Sequence, residues 1–263
     1  TVPEEWNAAN CDVVAFVSED HSEVYQVREV PAIGGTTLVV GELVGPSQTH
    51  VAGSNGQAAT FANTLTNVLG GAADYQVTLT SYGSPVTWAS TLVVDGTPIA
   101  NPGTIPVADA ATVTITVQVT PDAVPGIGRY VLTIASVNDP GAPVLEQEFN
   151  VISGITDLIV THTGAEPWEQ LYIDGLEQAG NQSFAATSKA KFLRFGADGA
   201  LGGINNLYVN VSWTFPSLTD DEVALLIAHM DGGGDVMIAG QDIGWDQSGA
   251  DGSYGTPVTQ SFY

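Results

Sequence analysis

Five aspartates, Asp231, Asp235, Asp242, Asp246 and Asp251, fall between residues 231 and 251, interleaved with glycines. Carboxylates on glycine-rich turns supply the oxygen ligands that Ca2+ takes. Asp231, Asp235, Asp242 and Asp246 are therefore the candidate metal ligands, and Ca2+ is the one cofactor to consider. Their spacing departs from the EF-hand loop, which favours solvated turn aspartates. Within the same segment, "DVMIAGQDIGWD" (235–246) reads as an apolar strand ending at Gly240 and a polar turn beyond it. In open parallel sheets, ligands sit past the carboxyl ends of the strands. Gln241, Asp242 and Trp245 are thus a candidate ligand rim. For nucleophilic chemistry the same region offers Ser248, with His162 and His229 as bases. Nothing near Ser248 resembles G-x-S-x-G, and each histidine reads first as an ordinary surface or satisfied residue. The "DGGG" run lacks the Lys-Ser/Thr of a phosphate loop. No catalytic residue is expected.

Those residues need elements to hold them. From about residue 154 the apolar spacing alternates between strand and helix. "ITDLIVTHT" and "NLYVNVSW" are apolar strands. Trp168, Leu171, Tyr172, Gly175, Leu176 and Ala179 mark one face of a helix with Pro167 at its start. Thr219 and Glu222 form a capping box before Val223, Leu226, Ile227 and Met230, and Gly232 fits the C-terminal cap. "KFLRF" reads as a short strand. Alternating strands and helices predict a parallel sheet of βα units. Residues 35–153 instead carry many short runs of period two. In "TVTITVQVT", Val113, Ile115, Val117 and Val119 share one side. Turn signals such as "DG" at 95–96 separate the runs, which predicts a β-sandwich. Trp88 reads as an aromatic between its sheets rather than a ligand platform. Residues 1–34 form one hairpin around "SEDHSE", too small to bury a core alone.

Composition excludes several functions. The formal net charge is −24, from 29 acidic and only five basic residues. Such a surface repels phosphate backbones and anionic membranes, so nucleic-acid binding is not expected. No apolar run approaches the ~20 residues that span a bilayer. Cys11 is the only cysteine, so an intramolecular disulfide cannot form; it reads as a small buried hydrophobe. Three of the five basic residues, Lys189, Lys191 and Arg194, lie in "SKAKFLR". They serve either as a docking point for an acidic neighbour or to neutralise local carboxylates. Asn181 and Asn210 fit the Asn-x-Ser glycosylation pattern.

Three resemblances follow from these stretches. "EEWNAANCDVVAFVSEDHSEVYQVREV" resembles the closing segment of a thioredoxin-like module in bacterial outer-membrane-associated proteins. The order "YQVTL", "PVTWASTLVV", "IPVADAATVTITVQVTPDAVPGIGRYVLTIAS" is similar to the immunoglobulin-like accessory domains of secreted bacterial glycosidases, peptidases and surface proteins. "YIDGLEQAG" with "PSLTDDEVALLIAHMDGGGDVMIAGQDIGWD" resembles class I glutamine-amidotransferase-like, flavodoxin-like domains. Catalytic members of that family need a Cys on the turn after the strand. Here Gln241 stands in its place, so the resemblance implies a degenerate, noncatalytic domain.

The expected fold class is β plus α/β. A hairpin remnant (1–34) precedes an Ig-like β-sandwich (35–153) and a flavodoxin-like α/β domain (154–263) that is incomplete at its C-terminus. The expected role is a noncatalytic structural or adhesive protein, extracellular or on a bacterial cell surface. Its partners would be other copies of itself or other surface proteins, with glycans a further class. The alternative is an accessory region, spacer or carbohydrate-binding, of a larger secreted peptidase or glycosidase.

Overall fold

The computed structural model describes residues 12–18, 24–31, 41–139, 143–162 and 168–263. Cys11, residues 19–23 of the "SEDHSE" turn and Pro167 lie outside the described residues. β1 (Asp12–Ser18) and β2 (Val24–Pro31) pair as an antiparallel hairpin.

Ten strands then build the sandwich. They are β3 (Glu42–Val44), β4 (His50–Ala52), β5 (Ala59–Thr66), β6 (Ala73–Tyr82), β7 (Ala89–Val94), β8 (Thr97–Ile99), β9 (Gly103–Val107), β10 (Thr112–Thr120), β11 (Gly126–Ser136) and β12 (Leu145–Ser153). One sheet has the order β3-β5-β10-β7-β8 and the other β4-β12-β11-β6-β9. β5 pairs with β10 in the first sheet, while β6 pairs with β11 in the second. This interlock is the Greek-key arrangement of immunoglobulin-like sandwiches.

The period-two pattern explains the packing. Ile115, Val117 and Val119 are fully buried, while Thr116 and Gln118 between them lie half-buried. Phe61 of one sheet stacks on Phe149 of the other with centroids 4.6 Å apart. Trp88 is buried, and its Nε1–H donates to the Val124 carbonyl at 3.0 Å, so it is a core aromatic with its polar edge satisfied. The "DG" turn joins β7 to β8 with φ of 45° at Asp95 and 82° at Gly96. Two consecutive positive φ values match the twist of a hairpin and favour this dipeptide.

Beyond the sandwich lie β13 (Asp157–Thr161), α1 (Glu169–Gln178), β14 (Phe184–Ser188), α2 (Lys189–Ala197), β15 (Asn206–Ser212), α3 (Asp220–Asp231), β16 (Asp235–Gly240), α4 (Ile243–Gln247) and α5 (Pro257–Phe262). The sheet order is β14-β13-β15-β16, and every pair is parallel. Leu158, Val160, Leu207, Val209 and Val211 form a core with Phe192 and Phe195 of α2 and Val223 and Leu226 of α3. α1 packs on β13, with Tyr172 against Tyr208.

The structure departs from the sequence reading at three places. "KFLRF" is helical. Ser188 caps α2 by accepting from the Lys191 N–H, and Phe192 and Phe195, three apart, share its buried face. The strand there is the preceding "FAATS". An apolar run this short fits either period, and burial of its i, i+3 pair decides for helix. Second, α1 has the predicted apolar face, but no residue of the helix is buried. Third, Ile227 and Met230 of the α3 stripe are exposed; only Val223 and Leu226 reach the core. The polar tail after Gln247 contains α5, with Pro257 in its first turn and Thr256 as its cap.

The α/β unit is welded to the sandwich through α2. Ile152 at the end of β12 belongs to the α/β core. His50 of β4 lies edge-on to Phe195, centroids 5.2 Å apart. Asp198, at the C-terminal end of α2, accepts from the backbone N–H groups of Thr49 (3.0 Å) and His50 (2.9 Å) and contacts His50 Nδ1 at 2.8 Å. Burial lowers the His50 pKa against the opposing pull of Asp198, while His50 and the Thr49 and His50 amides hold Asp198 low against burial. Lys191 of α2 binds Glu148 of β12 at 2.9 Å, and Glu148 also binds Arg129 at 2.7 Å.

Candidate functional site

The carboxyl edge of the parallel sheet is where a doubly wound unit places its chemistry, and three groups of residues meet there.

The first is the turn after β16. Gly240 sits against β15: a Cβ there would meet the Ser212 carbonyl oxygen at 2.8 Å and the Val211 Cβ at 3.0 Å. Gln241 donates its N–H to that same Ser212 carbonyl at 2.8 Å. The left-handed residue of the turn is Asp242, with φ 57°. The strand-turn-helix shape of a nucleophile elbow is thus present, carrying an amide and a carboxylate. Ser248 donates its hydroxyl to the Trp245 carbonyl at 2.8 Å, a local turn contact.

The second group is a sealed ionic cluster. His162, immediately after β13, donates from Nε2–H to Glu222 Oε1 at 2.5 Å. A carboxylate is an acceptor only, so this bond places a proton on Nε2. Lys189, the first residue of α2, binds Glu222 Oε2 at 2.7 Å. Thr219 donates both its N–H and its hydroxyl to Oε2, completing the predicted capping box. His162 and Glu222 are both buried. Burial raises the Glu222 pKa, but the His162 hydrogen bond and the charges of His162 and Lys189 outweigh it and bring the value to about 2. His162 Nδ1 is buried without a hydrogen-bond partner. The cluster lies on the α2–α3 side of the sheet, since His162 follows Leu158 and Val160 in the alternation of β13.

The third group is Asp246. Its carboxylate accepts from Ser217 N–H (2.7 Å), Ser217 Oγ (2.6 Å), Gln247 Nε2 (2.8 Å) and Tyr254 N–H (3.0 Å). Against the effect of burial, these donors keep its pKa below the usual aspartate range. Asp246 is a latch tying α4 to the loops at 217 and 254.

The predicted metal ligands are therefore not brought together. Asp231 ends α3 and Asp235 begins β16, at the amino edge of the sheet. Asp242 and Asp246 follow β16 at the carboxyl edge, roughly 20 Å away along the strand. Asp246 has given its oxygens to protein donors. Among the described residues, no three His, Cys, Asp or Glu side chains converge on a metal position.

The predicted rim separates too. Gln241 borders an open cleft of about 660 Å³ formed with Trp168, Leu171, Tyr172, Trp213 and Met237. Asp242 and Trp245 do not line it. Trp245 instead packs edge-on to Phe215 at 5.8 Å. His229 is half-buried and its Nε2 reaches the Asn205 carbonyl at 3.1 Å. Asn210 is buried on β15, which rules out the glycosylation pattern as an acceptor in the folded protein. Of the basic cluster, Lys189 and Lys191 pair within the chain, which favours local neutralisation over docking.

Sequence reasoning missed the His162–Lys189–Glu222 cluster because it treated Glu222 as a cap alone. The available signal was positional: a His, a Lys and a Glu, each at the carboxyl end of a strand or the first turn of the helix after one.

No protein-family model matches this chain, and no curated protein matches it. Among solved structures, it is similar to Salmonella alpha-2-macroglobulin reacted with methylamine (TM-score 0.33, 16% identity, 50% of this chain and 8% of that chain). It is also similar to a CARDB domain from Pyrococcus furiosus in complex with di-metal ions (TM-score 0.27, 15% identity, 45% and 95% covered). A third is a family 123 glycoside hydrolase from Clostridium perfringens (TM-score 0.28, 10% identity, 62% and 33% covered). The chain spans 8% of the length of that macroglobulin chain. Likenesses at these scores carry no argument about activity.

Proposed function

We propose that this chain is a noncatalytic structural or adhesive module of an extracellular or bacterial cell-surface protein. In this reading, an Ig-like sandwich is rigidly joined to a degenerate, flavodoxin-like domain of amidotransferase type. The strand order β14-β13-β15-β16 is the 2-1-3-4 sequence of the flavodoxin-like doubly wound sheet, which supports the fold assignment. One observation carries the functional reading. The turn where such domains hold their nucleophile presents Gln241 and Asp242, and the imidazole nearest the sheet's carboxyl edge, His162, is buried in an ion pair. A base that no substrate can reach, beside a turn without thiol or hydroxyl, does not perform acyl transfer. The welded seam through α2 suits a load-bearing scaffold. No helix among the described residues is long and apolar enough to cross a membrane.

Two measurements test this. Treatment with a fluorophosphonate, followed by peptide mapping, is expected to leave the α/β unit unmodified. A stoichiometric adduct on Ser248, with amide or ester turnover lost in Ser248→Ala, would overturn the noncatalytic reading. Light scattering and negative-stain imaging of the native protein, with and without EDTA, address partners. Self-association into regular assemblies is expected if copies of this chain are its partners. A monomer at all concentrations removes self-assembly and leaves heterologous surface proteins. Dissolution of assemblies by EDTA would assign Ca2+ a place at an intermolecular contact.

A further inference from the structure

Among the described residues, ten line the cleft over β15 and β16, and none of them is charged. This is selective in a chain with 29 acidic and five basic residues. The cleft's aromatic side chains are open: Trp168 is 43% exposed and Trp213 68%. Two features of β15 bring Trp213 there. The register of β15 against β16 shifts between Asn210 and Ser212, a bulge around Val211. Ser212 has φ 55°, in the left-handed region that a serine rarely adopts. This backbone is fastened in place. Thr214 donates its hydroxyl to the Val211 carbonyl at 2.7 Å, and the Gln241 N–H donates to the Ser212 carbonyl at 2.8 Å. Bulges re-aim side chains beside binding sites, and strained residues persist where their surroundings enforce them. The strand beneath carries polar atoms with nothing to bind. Asn210 is only 4% exposed and lines the cleft, yet its Nδ2 has no hydrogen-bond partner. Thr161, its register partner on β13, has a buried Oγ1 without one. Buried donors and acceptors are rarely left so.

We infer that this cleft binds a neutral glycan, by stacking on Trp168 and Trp213 and by a hydrogen bond from Asn210 Nδ2. Three properties of the site select that ligand. The lining offers no counter-charge, so an ionic ligand would lose hydration with nothing in return. Its open indole faces carry negative π-clouds, which attract the weakly positive C–H face of a pyranose ring. Its polar groups are neutral and both donate and accept: the Asn210 and Gln241 amides and the Ser212 hydroxyl. Sugar hydroxyls match them, since each can do the same. A hydrocarbon chain would cover the indoles and leave Asn210 Nδ2 buried without an acceptor, whereas a ring hydroxyl supplies one. The volume of about 660 Å³ lies in the range of small-molecule sites. This site differs from the rim expected at the turn after β16: Asp242 and Trp245 take no part, and Gln241 alone is shared. The inference gives the adhesive module proposed above its ligand class, and it rests on that reading.

The test is a panel of immobilised neutral oligosaccharides of the cello-, xylo-, manno- and galacto-series, with sialyllactose as the charged comparison. The whole chain is applied, and the best binder is then titrated by tryptophan fluorescence. The expected result is saturable binding to at least one neutral series, with a shift in indole emission. Its affinity should not depend on salt, because no charges pair. Trp213→Ala and Trp168→Ala should each weaken binding about 10-fold or more. Asn210→Leu should weaken it about 10-fold, the loss of one hydrogen bond. The same variant should keep or raise the melting temperature, because the free protein loses an unpaired buried donor. A fall in melting temperature would make Asn210 a structural residue and overturn the inference. Binding to no neutral series, binding to sialyllactose alone, or binding unmoved by the Trp213 and Asn210 variants overturns it too. So does indole emission that changes with protein concentration in the absence of sugar, since a second copy would then occupy the cleft. Cleavage of a bound oligosaccharide would overturn the noncatalytic reading instead, and the same variants would still decide the site.

Discussion

Glu222→Ala is expected to lower the unfolding free energy by about 3–5 kcal/mol, the cost of removing one partner from a buried ion pair. The Glu222 side chain satisfies four donors at once: His162 Nε2, Lys189 Nζ, and the N–H and hydroxyl of Thr219. Truncation leaves a buried imidazole N–H without its acceptor, Lys189 without its counter-charge, and α3 without the glutamate half of its capping box. Urea denaturation followed by tryptophan fluorescence measures the loss. Glu222→Gln preserves the shape and separates charge from packing. Its signature is in the pH dependence. Glu222 has a folded pKa of about 2, against 4.5 as its ordinary value. A carboxylate depressed in the folded state contributes stability that is fully present above 4.5. The contribution is lost as pH falls from there through about 2. Wild-type stability should therefore fall across this window, and Glu222→Gln should flatten part of the fall. Glu148, also held at about 2 by Arg129, Asn150 and Lys191 against burial, contributes to the remainder, together with Asp157, Asp198 and Asp246, whose hydrogen bonds hold them below the usual aspartate range against burial. Parallel stability profiles for wild type and Glu222→Gln between pH 5 and 2 would falsify the assignment.

Phe195→Ala is expected to cost about 3–5 kcal/mol and to change the shape of unfolding. Phe195 is fully buried in the α/β core that includes Ile152, and its ring meets His50 of the sandwich. Removing it leaves a cavity at the seam, where the two units are tied by Asp198 and Lys191. Calorimetry of the wild type should show one coupled transition. The variant should show the α/β unit melting first, with the sandwich transition little moved, because the Phe61–Phe149 core does not touch the cavity. A single transition shifted by less than the equivalent of about 1 kcal/mol would mean that the two units are not coupled through this contact.

The sandwich was legible because its information is local. Alternation at Val113–Val119 states which side of β10 faces in, and the Asp95–Gly96 turn states where a hairpin reverses. α3 was legible for the same reason: Thr219 and Glu222 sit three residues apart, and a capping box needs nothing further. α2 was not, because Phe192 and Phe195 are compatible with strand or helix until a partner surface exists. The face of α1 was read correctly as apolar, yet periodicity says only that a face is apolar. Whether something covers it depends on the elements that come to lie beside it.

The candidate site divides along the same line. That the turn after β16 lacks a thiol is a property of composition, and the sequence determined it alone by placing Gln241 and Asp242 after Gly240. The tertiary structure decided what the charged residues do. Asp246 and Asp235 look alike as turn aspartates. One is enclosed by four donors from three segments, and the other stands at the opposite edge of the sheet. His162, Lys189 and Glu222 are separated by 27 and 33 residues, and only the parallel order of β13, β14 and β15 brings them together. Patterns of two and 3.6 residues are set by the backbone and survive in any window of sequence. Ion pairing and the covering of faces are set by which strands become neighbours, and that follows from closing the whole core.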